Sequence, residues 1–376
     1  MDDLKVLFLA SEAEPLVKVG GLGDVAGSLP QALRTLRASD GEPGVDIRLV
    51  IPFHPQLESK VGEVRKIATL VVESAEGPIA GDAYLVQDSL GETAVPIYLV
   101  DGLPIRESPY VYSDDAQIDG RKYVFFSLAA LKLAEALDWW PDILHANDWH
   151  TSAAVYQAHR LGSEDSRYAK LRKLLAIHNL PYMGSGAEEA MDYFGLPPAE
   201  DPAMPWWAGH MPLPLGLLTA DRIVAVSPGY AREIRTPEFG AGLEGLLVSR
   251  GDAVTGIING IDMAAWDPET DPEIRMQYSL ASLPARMRNK SALQEELNLP
   301  IRKSALFLAS ISRMVHQKGV DLIIEALFNL EGFDWQALIL GTGEPHLEEA
   351  ARALQARFPD RVRAAITYDP ALTHRV

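Results

Sequence analysis

Four clusters of polar and glycine residues interrupt an otherwise apolar-patterned chain, and each has a composition suited to holding a ligand. The first is Lys18-Val19-Gly20-Gly21-Leu22-Gly23-Asp24. Glycines let a backbone approach a ligand closely, the helix start that follows supplies free N–H groups, and Lys18 adds a mobile positive charge suited to phosphate. Gly21, Gly23 and Ala26 also fit GxGxxA, which keeps a nicotinamide dehydrogenase in play. The glycines stand too far beyond the first apolar run, however, for a dinucleotide fingerprint. The second cluster is His145-Ala146-Asn147-Asp148-Trp149-His150, and His178-Asn179 ends the next apolar run in the same way. Hydrogen bonding of sugar hydroxyls is one use for these polar ends, and capping of the following helix by Asp148 is another. Metal ligation is disfavoured by the spacing, and no metal site is expected. The third cluster, Ser312 to Gly319, places Arg313 and Lys318 at a helix start, where cations oppose the helix dipole unless an anion such as a diphosphate lies between them. The fourth, Gly341-Thr342-Gly343-Glu344-Pro345, reads as a close-approach loop with a carboxylate placed for hydroxyls such as those of a ribose. Trp139-Trp140 and Trp206-Trp207 could stack on sugar faces, but aromatic pairs mostly pack cores, and that reading is taken for both.

The elements that must position these clusters alternate. Val6–Ala10, Ile47–Ile51, Ile143–Ala146, Leu174–His178 and Ile223–Ser227 read as buried strands. Helices are predicted over Val25–Arg37, Arg121–Leu137 and Thr151–Leu161, the pattern of parallel strands joined by crossover helices. Within Lys66–Val100 three runs, Ile67–Val72, Ala83–Val86 and Val95–Val100, suggest an antiparallel meander inserted in the α/β unit. Gly184–Pro214 lacks a clear period and reads as a long functional loop or lid. After Gly256–Asp262 a second series follows: helix Leu283–Leu297, strand Ala305–Ile311, helix Val320–Leu330, strand Gln336–Leu340, helix Pro345–Phe358 and strand Val362–Ile366. The fold expected is α/β, with two Rossmann-like domains facing a cleft, residues 1–259 and 260–376, the second holding only three strands.

A length of 376 residues suits two domains, and 47% hydrophobic against 23% charged residues suits globular cores. With 52 acidic and 34 basic residues the net charge is -18, a field that repels nucleic acid and anionic membranes. The chain has no cysteine, which excludes disulfides, thiolate metal sites and a cysteine nucleophile. With no export signal or apolar span as well, a cytoplasmic location is expected.

Taken together, KVGGLGDV, HANDWHT, AIHN, VSPGYARE, GIINGID, SRMVHQKGVDLI and GTGEP resemble, in order and spacing, bacterial glycogen synthases and plant starch synthases. The resemblance implies a retaining glycosyltransferase of the GT-B type that moves glucose from ADP-glucose to the non-reducing end of an α-1,4-glucan, with no cofactor. It further implies that Lys18, Gly20, Gly21, Gly23 and Asp24 contact the nucleotide sugar. Asp148, His178 and Asn179 would line the glucose, with Asn259 among the substrate contacts. Arg313 and Lys318 would neutralise the departing diphosphate, Gly341, Gly343 and Glu344 would cradle the nucleoside, and Tyr368 would stack on adenine.

One departure stands out. Beyond the region matching Tyr368 and His374, family members carry a Glu-Pro-Cys-Gly motif that is not in this chain. The expectation is therefore a carboxyl-terminal truncation with reduced or no synthase activity. A UDP-glucose-type transferase and a non-catalytic glucan-binding protein are the alternatives.

Overall fold

A computed structural model of the chain describes residues 3–36, 44–87, 94–330 and 332–376. Its internal contacts divide it into two units, Met1–Gly260 and Ile261–Val376. Both are α/β.

The first unit is built on a nine-stranded sheet. In chain order the strands are β1 (Leu4–Leu9), β2 (Val45–Pro52), β3 (Val64–Val72), β4 (Ile79–Val86), β5 (Ile97–Gly102), β6 (Ile143–Asn147), β7 (Arg172–Ile177), β8 (Arg222–Ala225) and β9 (Val254–Gly256). Their spatial order is β3-β4-β5-β2-β1-β6-β7-β8-β9. Successive side chains of a strand point to opposite faces, so Leu7 and Leu9 enter one apolar core while Val6 and Phe8 enter another on the far side. Helix Ala116–Ala136 covers the first face, its start capped by Asp115, whose carboxylate accepts from the N–H groups of Gln117 and Ile118. Helix Gly21–Thr35 covers the second. A sheet buried on both faces calls for near-continuous apolar strands, the pattern of the sequence.

Three expectations need correction. The segment Lys66–Val100 is not wholly an inserted meander: β3 and β4 are antiparallel, but β5 pairs parallel with β2 and so belongs to the main sheet. Alternation within a single strand cannot tell which neighbour it will meet. Residues 88–93 of that segment, and Arg37 at the end of the first predicted helix, lie outside the described residues. Gly184–Pro214 is no open lid. It contains helix Glu188–Tyr193 and buries Ala187, Ala190, Met191, Phe194, Leu196, Met204 and Ala208 in the first core. Trp139 is buried and Trp207 packs on the core, as read, but Trp206 stands 94% exposed.

The second unit has a three-stranded parallel sheet, β10 (Leu306–Ile311), β11 (Trp335–Leu340) and β12 (Val362–Ala365), with β11 in the centre. All six residues of β11 are buried, as befits a strand flanked on both edges and covered on both faces. Ala337 and Ile339 join one small core; Leu338 and Leu340 join the other. A short helix, Pro370–Arg375, follows beyond the expected elements; Asp369 caps it by accepting from the N–H of Leu372 at 2.8 Å.

Candidate active site

In each unit the candidate residues gather at the carboxyl ends of the parallel strands, the edge where open α/β sheets place ligands. Register accounts for it. In the first unit, Asn147 of β6 aligns with Ala176 of β7, and Ile177 with Ala225 of β8. Whatever follows these residues must emerge at one edge.

Asn147 is fully buried, and its amide N–H donates to the carbonyl of Leu9 at the end of β1 (2.8 Å). That carbonyl can only accept, so the amide oxygen faces the other way, 3.0 Å from His178 Nε2. His178 therefore carries its proton on Nε2, and when the ring is neutral its Nδ1 is an acceptor. Burial holds the imidazole below its ordinary pKa, with the Asp148 charge acting in opposition. A neutral ring follows at neutral pH.

Asp148 has a positive φ of 54°, uncommon for a residue with a side chain and a recurrent mark of functional sites. Its side chain makes no capping bond to its own helix, so the capping role considered for it is not what the structure shows. Instead Oδ1 crosses to the next strand end and accepts the backbone N–H of His178 (2.7 Å) and of Asn179 (3.3 Å). Burial pushes the carboxyl above its usual pKa against these two hydrogen bonds. The other histidines of the cluster pack inward. His145 lies against the Phe8 ring at 4.4 Å, with its pKa pushed down to about 3 by burial, and His150 is surrounded by Tyr112, Tyr123 and Trp149.

At the glycine turn, Lys18 is held rather than mobile, its Nζ 2.6 Å from Asp24. The N–H groups of Val19 and Gly20 donate to the carboxylate of Glu12, which is 1% exposed. A Cβ at Gly23 would crowd Lys18 and Glu12, whereas one at Gly21 would meet nothing within 4 Å. Gly21 has no packing reason to be glycine. Asn259 lies beyond β9 and is exposed.

In the second unit, Ile311, Leu340 and Ala365 are register partners, so the segments carrying Arg313, Gly341–Glu344 and Tyr368 leave the sheet side by side. The first two are zipped together past the strand ends: Met314 N–H donates to Thr342 O and Glu344 N–H to Met314 O, each at 2.8 Å. This explains the two glycines. A Cβ at Gly341, where φ is 148°, would lie 1.9 Å from Ser312 O, and one at Gly343 would lie 2.2 Å from Met314 O. The close approach they permit is to a neighbouring strand-end loop. Among the described residues, Arg313 and Lys318 are exposed and form no ion pair, and Tyr368 is 69% exposed. Glu344 begins helix Pro345–Arg357 without capping it by its side chain.

Residues 5–249 match the starch synthase catalytic domain model, well over half of the chain. The chain belongs to the glycogen and starch synthase family. A glycogen synthase of Aromatoleum aromaticum is 38% identical over 99% of this chain and 74% of its own length. One from Streptococcus agalactiae serotype Ia is 34% identical over 99% and 76%. Among solved structures, the catalytic domain of starch synthase IV from Arabidopsis thaliana, bound to ADP and acarbose, covers all of this chain and 76% of its own at 27% identity and a TM-score of 0.85. The N-terminal domain of a Candida albicans trehalose-6-phosphate phosphatase, at 13% identity and a TM-score of 0.55, shares the fold alone. This member of the family is thus a glycosyltransferase enzyme with the GT-B-type fold. No helix among its described residues is long and apolar enough to cross a membrane.

Two groups that organise this edge are not singled out by sequence alone: Asn147, inside the HANDWHT motif, and Glu12. The signal available for both was position: a polar residue at or just past the carboxyl end of a buried strand.

Proposed function

We propose that this synthase transfers glucose from ADP-glucose to the non-reducing end of an α-1,4-glucan with retention, using no metal or organic cofactor. The observation that carries the reading is the shared strand edge of the second unit. There two exposed cations without ion-pair partners among the described residues, Arg313 and Lys318, stand beside the Gly341–Glu344 loop and the exposed ring of Tyr368. Cations suit a diphosphate, Glu344 a ribose hydroxyl and an aromatic face a nucleobase. The similar starch synthase catalytic domain is bound to ADP and acarbose, which favours a nucleotide and a saccharide as the ligand classes here.

In the first unit, the neutral His178 offers Nδ1 as an acceptor for a sugar hydroxyl, Asp148 holds the His178–Asn179 backbone in place, and Lys18 reaches a phosphate by leaving Asp24. The bond from the anomeric carbon to the diphosphate breaks as the bond to the acceptor oxygen forms on the same face. The acceptor's proton passes to the departing phosphate oxygen, and ADP leaves. Positive charge develops on the sugar and negative charge on the leaving group, so placed cations lower the barrier by stabilising the latter. A front-face course fits a sugar site with no carboxylate assigned as nucleophile.

Titration with ADP-glucose and with UDP-glucose, read by thermal shift and calorimetry, tests the donor. Stabilisation by ADP-glucose at concentrations where UDP-glucose has none is expected; the reverse order would overturn the assignment.

A further inference from the structure

The glycine turn after β1, whose composition suits a phosphate, already holds an anion of the protein's own. Glu12 follows β1 by three residues and is buried. Its carboxylate accepts the N–H groups of Val19 and Gly20, both oxygens lying 3.2 Å from the latter, and the Tyr112 hydroxyl donates to Oε1 at 3.2 Å. Tyr112 in turn lies 2.9 Å from the hydroxyl of Ser11, whose carbonyl contacts His54 Nε2 at 2.9 Å. The turn is tied at its far end as well, by the N–H of Glu14 donating to Gly23 O at 3.0 Å.

We propose that Glu12 is a positioning residue for donor binding: it occupies the Val19 and Gly20 amides and thereby fixes the turn that presents Lys18 and Gly21. The inference rests on the proposed reading of the turn as a donor contact and adds two statements to it. The amides of residues 19 and 20 are not phosphate ligands, because bringing a phosphate there would place it against a buried carboxylate. What the turn offers a donor is the Lys18 ammonium and the uncrowded backbone at Gly21. Burial is the largest influence on the carboxyl and raises its pKa, while the backbone N–H groups and Tyr112 oppose it. Desolvating a carboxylate is costly, and satisfied hydrogen bonds are what make it tolerable. Such a group is a poor choice for mere stability at a site where an apolar side chain could pack. It is a good one for holding two amide donors at a defined separation.

The experiment compares wild type, Glu12→Gln, Glu12→Asp, Lys18→Ala and the Glu12→Gln/Lys18→Ala double variant. Hydrogen exchange of the peptide spanning residues 13–25 is followed by mass spectrometry, and ADP-glucose affinity by calorimetry well below each melting temperature. Glu12→Gln keeps the shape but turns an acceptor into a donor facing two donors. It should speed exchange in that peptide alone and weaken ADP-glucose binding about tenfold, the size expected when one partner of a buried hydrogen-bonded set is lost. Because both residues act through one turn, its effect should not add to that of Lys18→Ala. Glu12→Asp, retaining the carboxylate, should restore part of the protection, and it carries the comparison if Glu12→Gln does not fold. Unchanged exchange over residues 13–25, or strictly additive affinity losses, would overturn the inference. If wild type fails to bind ADP-glucose, the proposed donor falls instead, and the exchange measurement still decides whether Glu12 holds the turn.

Discussion

The carboxylate of Asp148 bonds to a residue thirty positions away rather than to its own helix: Oδ1 accepts the backbone N–H of His178 at 2.7 Å. This contact ties the end of β6 to the end of β7 and holds the imidazole where Asn147 can reach it. Because burial raises the carboxyl's pKa, the folded protein takes up a proton at Asp148 more readily than the unfolded chain does. The stability linked to that proton is present below the ordinary value of 3.8 and is lost as pH rises through the folded value. Asp148→Asn keeps an oxygen for both N–H groups without the charge. It should therefore resist urea better than wild type at pH 7, with the gap narrowing toward pH 4, while binding the donor more weakly. Lower stability of the variant at pH 7 would show that the charge itself is needed to hold the strand ends together.

Asn147 permits a test of the histidine's tautomer. Asn147→Asp sets a carboxylate against the Leu9 carbonyl and offers His178 an anion, so the His178 pKa should rise in an NMR titration. Asn147→Ala leaves the buried Leu9 carbonyl without its partner and should lower stability by about 1–3 kcal/mol in chemical denaturation. A His178 titration identical in wild type and Asn147→Asp would mean that the two side chains do not meet in solution.

Arg313 and Lys318 are exposed and have no ion-pair partner among the described residues, so Arg313→Ala and Lys318→Ala should leave the melting temperature nearly unchanged. Each should weaken ADP binding about tenfold or more, as expected for a lost charge-assisted phosphate contact. Calorimetry with ADP reads the second effect, and a melting curve the first. A large loss of stability with undiminished ADP affinity would assign them to the fold.

The glycines separate by the same logic. Gly341→Ala and Gly343→Ala force a Cβ into backbone carbonyls and should destabilise the second unit by roughly 1–3 kcal/mol. Gly21→Ala meets nothing within 4 Å and should fold normally, so any drop in ADP-glucose affinity reports the approach of the donor itself. Melting curves paired with calorimetry distinguish the two classes.

Much of this protein is legible in its sequence. Apolar runs of strand length separated by helix-period segments determine a parallel sheet covered on both faces, because only burial on both sides stabilises such strands. The polar residues placed directly after those runs determine that the candidate residues share one edge, since parallel strands end on the same side. What tertiary structure alone decided is who meets whom at that edge. Asp148 could have capped its helix, Lys18 could have stood free, and the Val19 and Gly20 amides could have awaited a phosphate. The glycines of the GTGEP loop could have made room for a ligand. Two outcomes turned on a partner across a strand end, His178 for Asp148 and Ser312 and Met314 for the glycines, and two on how the turn after β1 folds back on itself, Asp24 for Lys18 and Glu12 for the amides. Spacing along a chain constrains side chains within one element, but hydrogen bonds between strand ends depend on register, which is set only when the whole sheet has assembled.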